Sequence, residues 1–197
     1  MSFIYLAVED ELSEAVGKRI IAEFLGRDIF VQVLSRGGFG YLKSKLSNFV
    51  QMSRNSPVLL LTDLDNDQCG PSLKRKWFGS LEQPALFFFR VAVRETEAWL
   101  LADSRALSVY LGVSEASIPR NPETLADPKR ELVTIARKAK KELRQDIVPE
   151  RGSKSIQGIG YNRALCPFVE RHWDIRSAAK NSDSLNRACR RIAALAG

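Results

Sequence analysis

Three aspartates in alternate positions follow a short apolar segment in the first half of the chain. The apolar segment spans residues 58–61, and Asp63, Asp65 and Asp67 come shortly after it. Because alternate residues of an extended backbone point the same way, we expect Asp63 and Asp65 to present their carboxylates to one point, with Asp67 close by. Like charges at this spacing repel one another unless a cation lies among them, and hard divalent metals prefer oxygen ligands. The segment therefore predicts a metal site.

Three further acidic residues follow other apolar segments. Glu9 ends the first segment of the chain, and Glu95 and Glu97 follow the fourth. Because open α/β sheets place their ligand sites outside the carboxyl ends of parallel strands, we expect all these carboxylates to converge on one acidic crevice. Such a crevice suits one or two Mg²⁺ or Mn²⁺ ions, with water and a substrate phosphate completing the shell. Two ions about 4 Å apart would activate water and stabilise the leaving oxygen of a phosphodiester.

Four of the candidate residues have two interpretations each. Glu95 and Glu97 diverge on a helix, so one of them faces the crevice; we favour Glu97, with Glu95 as a helix N-terminal residue favoured by the helix dipole. Asp67 is either a ligand or a turn residue. Lys154, in a Gly-Ser-Lys-Ser segment, is either a contact for the substrate phosphate or a solvated loop residue.

The pattern of apolar residues predicts the scaffold that positions these acids. Short apolar segments, typical of buried strands, alternate with helical patterns in the first half of the chain. The predicted strands span residues 3–8, 29–34, 58–61 and 85–93, and the predicted helices span residues 11–25, 42–55 and 71–78. Residues 36–40 are predicted to form a flexible turn. This alternation predicts an α/β fold with a mostly parallel, Rossmann-like sheet of about four strands, flanked by helices.

Helical patterns dominate after residue 93. Helices are predicted over residues 95–102, 104–111, 128–144, 161–173 and 184–195. Asp103 and Asp127 are predicted to cap the helices that follow them, and Trp99 to pack in the core. We therefore expect an α/β core with the acidic metal site over residues 1–103, and a helical extension or cap packed on that core over residues 104–197.

The basic charge of the chain is compatible with a polyanionic partner. Lysine and arginine number 30 against 23 aspartates and glutamates, which gives a net charge of +7. Basic residues that neutralise phosphates release condensed counterions, and this favours nucleic-acid binding. A basic protein without such a partner remains an alternative from charge alone. The basic residues between 137 and 144 form a nucleic-acid surface only if they lie on the side of the acidic crevice.

Composition excludes several other classes of protein. Cys69, Cys166 and Cys189 are far apart in the sequence, which indicates reduced thiols in a cytosolic protein. No apolar segment has the length of a membrane span and the amino terminus lacks the pattern of a signal peptide, so we expect a soluble cytoplasmic protein without a membrane partner. With a single histidine, His172, and no paired cysteines, zinc catalysis is not expected.

The order of the acidic residues resembles that of a known family. A glutamate that ends the first strand, then a helix, then Asp-x-Asp after a later buried strand resembles the Toprim (topoisomerase–primase) domain. In that family the glutamate and the two aspartates hold the catalytic Mg²⁺, and the resemblance implies this role for Glu9, Asp63 and Asp65. The better-known Toprim domains have glycine after the glutamate, whereas this chain has Asp10, which would either crowd the phosphate or add a metal ligand.

Further stretches resemble a small bacterial Toprim-like family of unknown function, and this likeness covers nearly the whole chain. They are Glu-Thr-Glu-Ala-Trp-Leu-Leu-Ala-Asp at residues 95–103, Ser153-Lys154 and Tyr161-Asn162. The nearest characterised relatives of that family are the Toprim nucleases of the OLD (overcoming lysogenization defect) type. The resemblance implies an ABC-type ATPase partner and a role in phage defence.

The sequence thus predicts a Mg²⁺- or Mn²⁺-dependent nuclease or phosphodiesterase. Its metal ligands are predicted to be Glu9, Asp63 and Asp65, assisted by Glu97 and Asp67. Lys154 is predicted to meet the phosphate, and the helices after residue 104 to supply a basic surface for DNA or RNA. No tyrosine stands in a recognisable topoisomerase context, so we expect hydrolysis by metal-bound water rather than through a tyrosyl intermediate.

Two other functions remain open at this point. The chain is alternatively a non-catalytic adaptor or regulatory subunit of an ATPase complex, which retains the fold with a structural or degenerate metal site. A third, weaker alternative is a phosphotransfer enzyme that acts on a small phosphate ester.

Overall fold

Strands and helices alternate in the first half of the chain, and helices alone make up the second half. The computed structural model describes residues 3–34 and 37–196. The strands are β1 (Phe3–Ala7), β2 (Phe30–Val33), β3 (Val58–Asp63) and β4 (Phe87–Ala92). The helices of the first half are α1 (Glu11–Leu25), α2 (Gly38–Ser44), α3 (Leu46–Met52) and α4 (Gly70–Phe78). Those of the second half are α5 (Thr96–Leu101), α6 (Ser104–Leu111), α7 (Pro128–Ala136), α8 (Lys141–Ile147), α9 (Tyr161–Arg171), α10 (Ile175–Ala178) and α11 (Asp183–Ala193).

The four strands form one parallel sheet in the order β2-β1-β3-β4. β3 lies inside the sheet: Val58 pairs with Tyr5 of β1 on one side and with Phe87 of β4 on the other. Each crossover between strands contains helices, as parallel pairing requires. The predicted α/β fold, with a Rossmann-like parallel sheet flanked by helices and followed by C-terminal helices, is confirmed.

Alternate residues of β3 supply two hydrophobic clusters, one on each face of the sheet. Leu59 and Leu61 pack in a cluster that contains α1 and most of the helices after β4. Val58 and Leu60 pack in the second cluster, with α2, α3 and α4. Because both faces are covered, β3 is apolar at every position up to Leu61, which is the pattern from which a central strand was predicted.

The C-terminal helices share a hydrophobic cluster with the α/β part of the chain. Trp99 of α5 and Trp173, which follows α9, are almost fully buried in the same cluster as residues of β1 and α1. Trp99 Nε1 also donates a hydrogen bond of 2.7 Å to Ser184 Oγ in α11. Residues on both sides of position 103 therefore contribute to one core. None of the helices in the described part of the chain is long and apolar enough to cross a membrane.

The predicted caps are confirmed, whereas some of the predicted helices are interrupted. Asp103 and Asp127 accept bonds from the backbone N–H groups three residues on, at 3.2 Å and 2.8 Å respectively. The single helix predicted over residues 128–144 is wrong: α7 ends at Ala136, and α8 begins at Lys141. The reason is tertiary, because the N–H of Lys140 donates to the carbonyl of Leu111 at 2.9 Å instead of continuing the helix.

The glycine-rich segment also differs from its prediction. Of the turn predicted over residues 36–40, Arg36 lies outside the described residues, while Gly38 begins α2. The N–H of Gly38 donates to the carbonyl of Glu9 at 3.1 Å, and its φ of 72° is a conformation that glycine adopts without strain. The helix predicted over residues 42–55 is likewise divided into α2 and α3, which meet at Lys45.

Candidate acidic site at the carboxyl edge of the sheet

Glu9 lies at the carboxyl end of β1 and is bound to the neighbouring strand β3. Its Oε1 accepts a hydrogen bond of 2.6 Å from Thr62 Oγ1 and one of 3.1 Å from the backbone N–H of Asp63. Two donors from a different strand fix this carboxylate at the edge of the sheet, and its other oxygen accepts no hydrogen bond from the described residues. The following residue, Asp10, accepts from Ser13 N at 2.8 Å and so caps α1.

Asp63 is the last residue of β3, and its carboxylate is bound to the start of α5. Its Oδ1 accepts from the backbone N–H of Thr96 at 2.9 Å and from Thr96 Oγ1 at 2.8 Å. The other oxygen of Asp63 accepts no hydrogen bond within the part of the chain that the structure describes. Glu9, Asp63 and Thr96 thus connect the carboxyl ends of β1, β3 and β4, which the parallel sheet places at one edge.

Glu97 completes the cluster from α5, and it is 2% exposed. Its Oε1 accepts a hydrogen bond of 2.9 Å from the hydroxyl of Tyr161 and lies 3.4 Å from the ammonium nitrogen of Lys129. The Glu95 side chain binds the N-terminus of a different helix from the one predicted. Its Oε2 accepts a hydrogen bond of 2.8 Å from the backbone N–H of Lys129, in the first turn of α7. Both glutamates therefore contact Lys129. The Glu97 carboxylate lies beside its ammonium group, and the Glu95 carboxylate accepts from its backbone N–H.

Asp65 lies in a loop with an unusual backbone conformation. Its φ is 49°, in the left-handed region that aspartate tolerates better than most residues. The loop is held by Arg94, whose own φ is 58° and whose carbonyl accepts from Asp65 N at 2.9 Å. The Arg94 guanidinium donates to the carbonyls of Asp65 and Asp67 at 3.0 Å and 3.3 Å. This backbone frame sets the position of Asp65, which is exposed.

The two remaining candidates have partners of a different kind. Asp67 forms an ion pair with Lys76 of α4. Lys154 lies in the loop before α9, where it lines a cavity of about 720 Å³ together with Arg130, Arg137 and Arg151. The structure therefore brings Glu9, Asp63 and Glu97 to one edge of the sheet, with Asp65 on the adjoining loop. The metal-binding and catalytic roles predicted for these residues, and for Asp67 and Lys154, stay predictions.

Burial makes the ionised form of this cluster costly. Desolvation raises the pKa of Asp63 well above its ordinary value, and repulsion from Glu97 and Glu9 adds to the effect. The pKa values of Glu9, Asp65 and Glu97 are also raised, in each case mainly by partial loss of hydration. Each of these groups would be stabilised by a nearby positive charge, because a cation favours the ionised carboxylate.

Lys129 supplies one such charge, and it was not identified from the sequence. Burial alone would lower its pKa, but attraction by Glu97, Glu95, Asp10 and Asp63 outweighs burial and raises the pKa of Lys129. Its position gave a weak indication, because a lysine in the first turn of a helix opposes the helix dipole. In the structure the counter-charge of Lys129 is Glu97.

The donor atoms of the cluster are of the kind that Mg²⁺ and Mn²⁺ prefer. No group of three or more Asp, Glu, His or Cys side chains within residues 3–34 and 37–196 has a geometry that could hold a metal ion. A Mg²⁺ site commonly uses only one or two carboxylates, with water and substrate phosphate as the other ligands. The oxygens of Glu9 and Asp63 that accept no hydrogen bond from the described residues are donor atoms of that kind.

The fold is similar to that of a solved structure. The chain matches the C-terminal region of the Burkholderia pseudomallei OLD protein with a TM-score of 0.51 and 15% sequence identity, over 98% of this chain and 98% of that chain. At this identity the similarity shows a shared fold alone. No family model matches the chain, and no curated protein matches it.

Proposed function

We propose that this protein is a Mg²⁺- or Mn²⁺-dependent phosphodiesterase that cleaves nucleic acid, with a Toprim-like site related to that of OLD-type nucleases. The observation that carries the proposal is the 3.1 Å bond from Asp63 N–H to the Glu9 carboxylate, which joins two acids from distant parts of the sequence. The fold shared with the C-terminal region of an OLD protein supports it. An ABC-type ATPase partner and a role in phage defence belong to the same proposal.

Glu9 and Asp63 would hold the ion through the oxygens that accept no hydrogen bond from the described chain. Thr62 and Thr96 keep the opposite oxygens of these two carboxylates in place. Asp65, exposed on the neighbouring loop, would assist. A bound divalent ion would polarise the scissile phosphate and lower the pKa of a water molecule. The protein groups orient that ion and hold the phosphate beside it.

Lys129 is, among the described residues, a cation with contacts to this cluster. Its ammonium group neutralises part of the charge on Glu97, which is otherwise close enough to Asp63 to repel it. We propose that Lys129 stabilises negative charge on the phosphate during cleavage, since a preformed cation needs no reorganisation at that step. Lys154, with the arginines around it, would contact the nucleic-acid backbone at a distance from the reacting phosphate.

The alternative is a non-catalytic subunit of an ATPase complex. Two observations favour it: the Lys129 ammonium already lies against Glu97, and the described residues contain no preformed group of three metal ligands. In that case the acidic cluster would stabilise the packing of α5 against α7, and metal would not be required. The chain would then contact its partner without cutting nucleic acid.

Metal binding and cleavage distinguish the two functions when they are measured on the same variants. On the first proposal the wild type binds Mn²⁺ by calorimetry and cleaves plasmid or single-stranded DNA or RNA with Mg²⁺ or Mn²⁺. Asp63→Asn, which keeps the oxygen that accepts from Thr96, would lose both properties, with cleavage reduced by about a hundredfold or more. The exposed Asp28→Asn is the matched control and would retain both. A wild type that binds no divalent ion and cuts no nucleic acid would overturn the first proposal, and binding to an ATPase that survives Asp63→Asn would support the alternative.

A further inference from the structure

A cavity with basic walls lies along the outer strand of the sheet, apart from the acidic cluster. It has a volume of about 500 Å³ and runs along β4, the edge strand next to β3. Four basic side chains line it, Lys74, Arg90, Arg94 and Arg187, against a single carboxylate, Glu123. Such an excess of positive charge in a concave surface attracts anions.

Arg90 has an unusual environment for a positively charged side chain. Its Nε is buried and has no hydrogen-bond partner within the described residues. Burial lowers the pKa of Arg90, and the nearby Arg191 and Arg187 lower it further by repulsion. A buried cation is normally paired with an acid, because an unpaired one loses its hydration without compensation. Arg90, which is partly buried, therefore has no acidic partner among the described residues.

None of the described acidic residues forms an ion pair with Arg90. The Oε1 of Glu123 already accepts from Ser182 Oγ at 2.6 Å and from the N–H and hydroxyl of Ser184 at 2.9 Å and 2.5 Å. Arg187 forms its ion pair with Asp183, on the same helix. Lys74, Arg90 and Arg94 form no ion pair with any residue in the described ranges. The charges of Lys74, Arg90 and Arg94 are thus available to a ligand.

The cavity adjoins the loop that carries Asp65 and Asp67. Arg94 belongs to both, because it lines the cavity while its guanidinium donates to the carbonyls of the two aspartates. Gln68, which follows Asp67 in the sequence, also lines the cavity. A polymer with regularly spaced phosphates could therefore place one phosphate in the cavity and another at the acidic site.

We propose that this cavity binds a phosphate group of the nucleic-acid backbone, next to the phosphate at the acidic site, with Arg90 as its principal ligand and Arg187 and Arg94 beside it. The assignment to nucleic acid rests on the proposed function; the phosphate chemistry rests on the cavity alone. Arginine suits this role because its planar guanidinium donates two parallel hydrogen bonds to phosphate oxygens.

Thermal unfolding with inorganic phosphate as the probe tests the anion site. At matched ionic strength, phosphate should raise the unfolding temperature of the wild type above its value in chloride, since a ligand of the folded state stabilises it. Arg90→Met keeps the apolar stem and removes the charge, so it should lose this increase, and Arg187→Gln should reduce it. Arg54→Gln, an exposed arginine outside the cavity, is the control and should keep the increase. An equal increase in Arg90→Met and the control, or no increase in the wild type, would overturn the proposal.

Binding of a fluorescent single-stranded oligonucleotide in EDTA, followed by anisotropy, tests the source of the phosphate. We expect affinity to fall about tenfold in Arg90→Met, the size of one lost charge-assisted hydrogen bond. The slope of log affinity against log salt concentration should become less steep by about one. If phosphate stabilisation is lost but oligonucleotide affinity is unchanged, the site takes free phosphate and the nucleic-acid assignment is wrong. Because EDTA prevents metal-dependent cleavage, this test remains valid if the protein proves to have no nuclease activity.

Discussion

The ammonium group of Lys129 lies 3.4 Å from the carboxylate of Glu97, a residue that is 2% exposed at the start of α5. This ion pair joins α5 to α7, and the Glu95 carboxylate reinforces it by accepting the backbone N–H of Lys129. The pair therefore connects the helical second half of the chain to the acidic edge of the sheet. It makes the charge balance of the candidate site dependent on a residue from outside the predicted α/β core.

Replacing Lys129 by Met should lower both stability and activity. The buried Glu97 would keep its hydrogen bond from Tyr161 but lose its counter-charge, at a cost of about 3 kcal/mol in the free energy of unfolding at neutral pH. Chemical denaturation measures this loss. The exposed Lys138→Met provides a matched control and should change stability by less than about 0.5 kcal/mol. Similar effects of the two substitutions would mean that the Lys129–Glu97 pair has no special importance.

The raised pKa of Asp63 predicts an unusual dependence of stability on pH. Burial, with repulsion from Glu97 and Glu9, raises the pKa of Asp63 in the folded state above its ordinary value of 3.8. Between the two pKa values the folded state binds more protons than the unfolded state, so this residue makes the free energy of unfolding fall as pH rises. Asp63→Asn removes that contribution and keeps the acceptor for Thr96.

Denaturation in EDTA at a series of pH values tests this prediction. The variant should be more stable than the wild type near pH 8, and its advantage should shrink as pH falls towards the ordinary carboxyl pKa. The difference between the two proteins isolates Asp63 from the other titrating groups. An advantage that is constant with pH, or one that grows on acidification, contradicts the prediction.

The strand that carries Asp63 was predictable because every step depended on local patterns. The apolar residues 58–61 indicated a strand covered on both faces, and the parallel arrangement placed Glu9 and Asp63 at one edge of the sheet. The caps at Asp103 and Asp127 followed from the preference for aspartate before the first turn of a helix. In each case the deciding interactions lie within a few residues or follow from the topology of the sheet.

Lys129 and the break between α7 and α8 depend on contacts between distant residues. The position of Lys129 beside Glu97 follows from the packing of α5 on α7, which helical periodicity alone does not specify. The break follows from the bond between the N–H of Lys140 and the carbonyl of Leu111. The partner of Asp67 was not predictable for the same reason, because its ion pair with Lys76 depends on where α4 packs after the loop. No local pattern contains this information.

A divalent cation should stabilise the folded protein through the acidic cluster. If Mg²⁺ binds the folded state alone, a concentration a hundred times its dissociation constant adds about 2.7 kcal/mol to the free energy of unfolding. Differential scanning calorimetry in Mg²⁺ or Mn²⁺ against EDTA measures this effect. Glu9→Gln keeps an oxygen that can accept from Thr62 and should abolish the stabilisation. The exposed Glu82→Gln should leave it unchanged, and an unchanged response in Glu9→Gln would exclude Glu9 as a ligand.

Tyr161→Phe separates positioning from catalysis in the same cluster. The Tyr161 hydroxyl is buried and donates to Glu97 at 2.9 Å, so its removal leaves a buried carboxylate with one fewer donor, at a cost of about 1–2 kcal/mol in the free energy of unfolding. Because Tyr161 acts through Glu97, metal-dependent cleavage should fall by less than tenfold and its pH profile should shift to higher pH, as the pKa of Glu97 rises further. Tyr41→Phe, at an exposed position, should alter neither property. A loss of cleavage as large as that of Asp63→Asn, with an unshifted pH profile, would instead mean that the Tyr161 hydroxyl contacts the reacting groups directly.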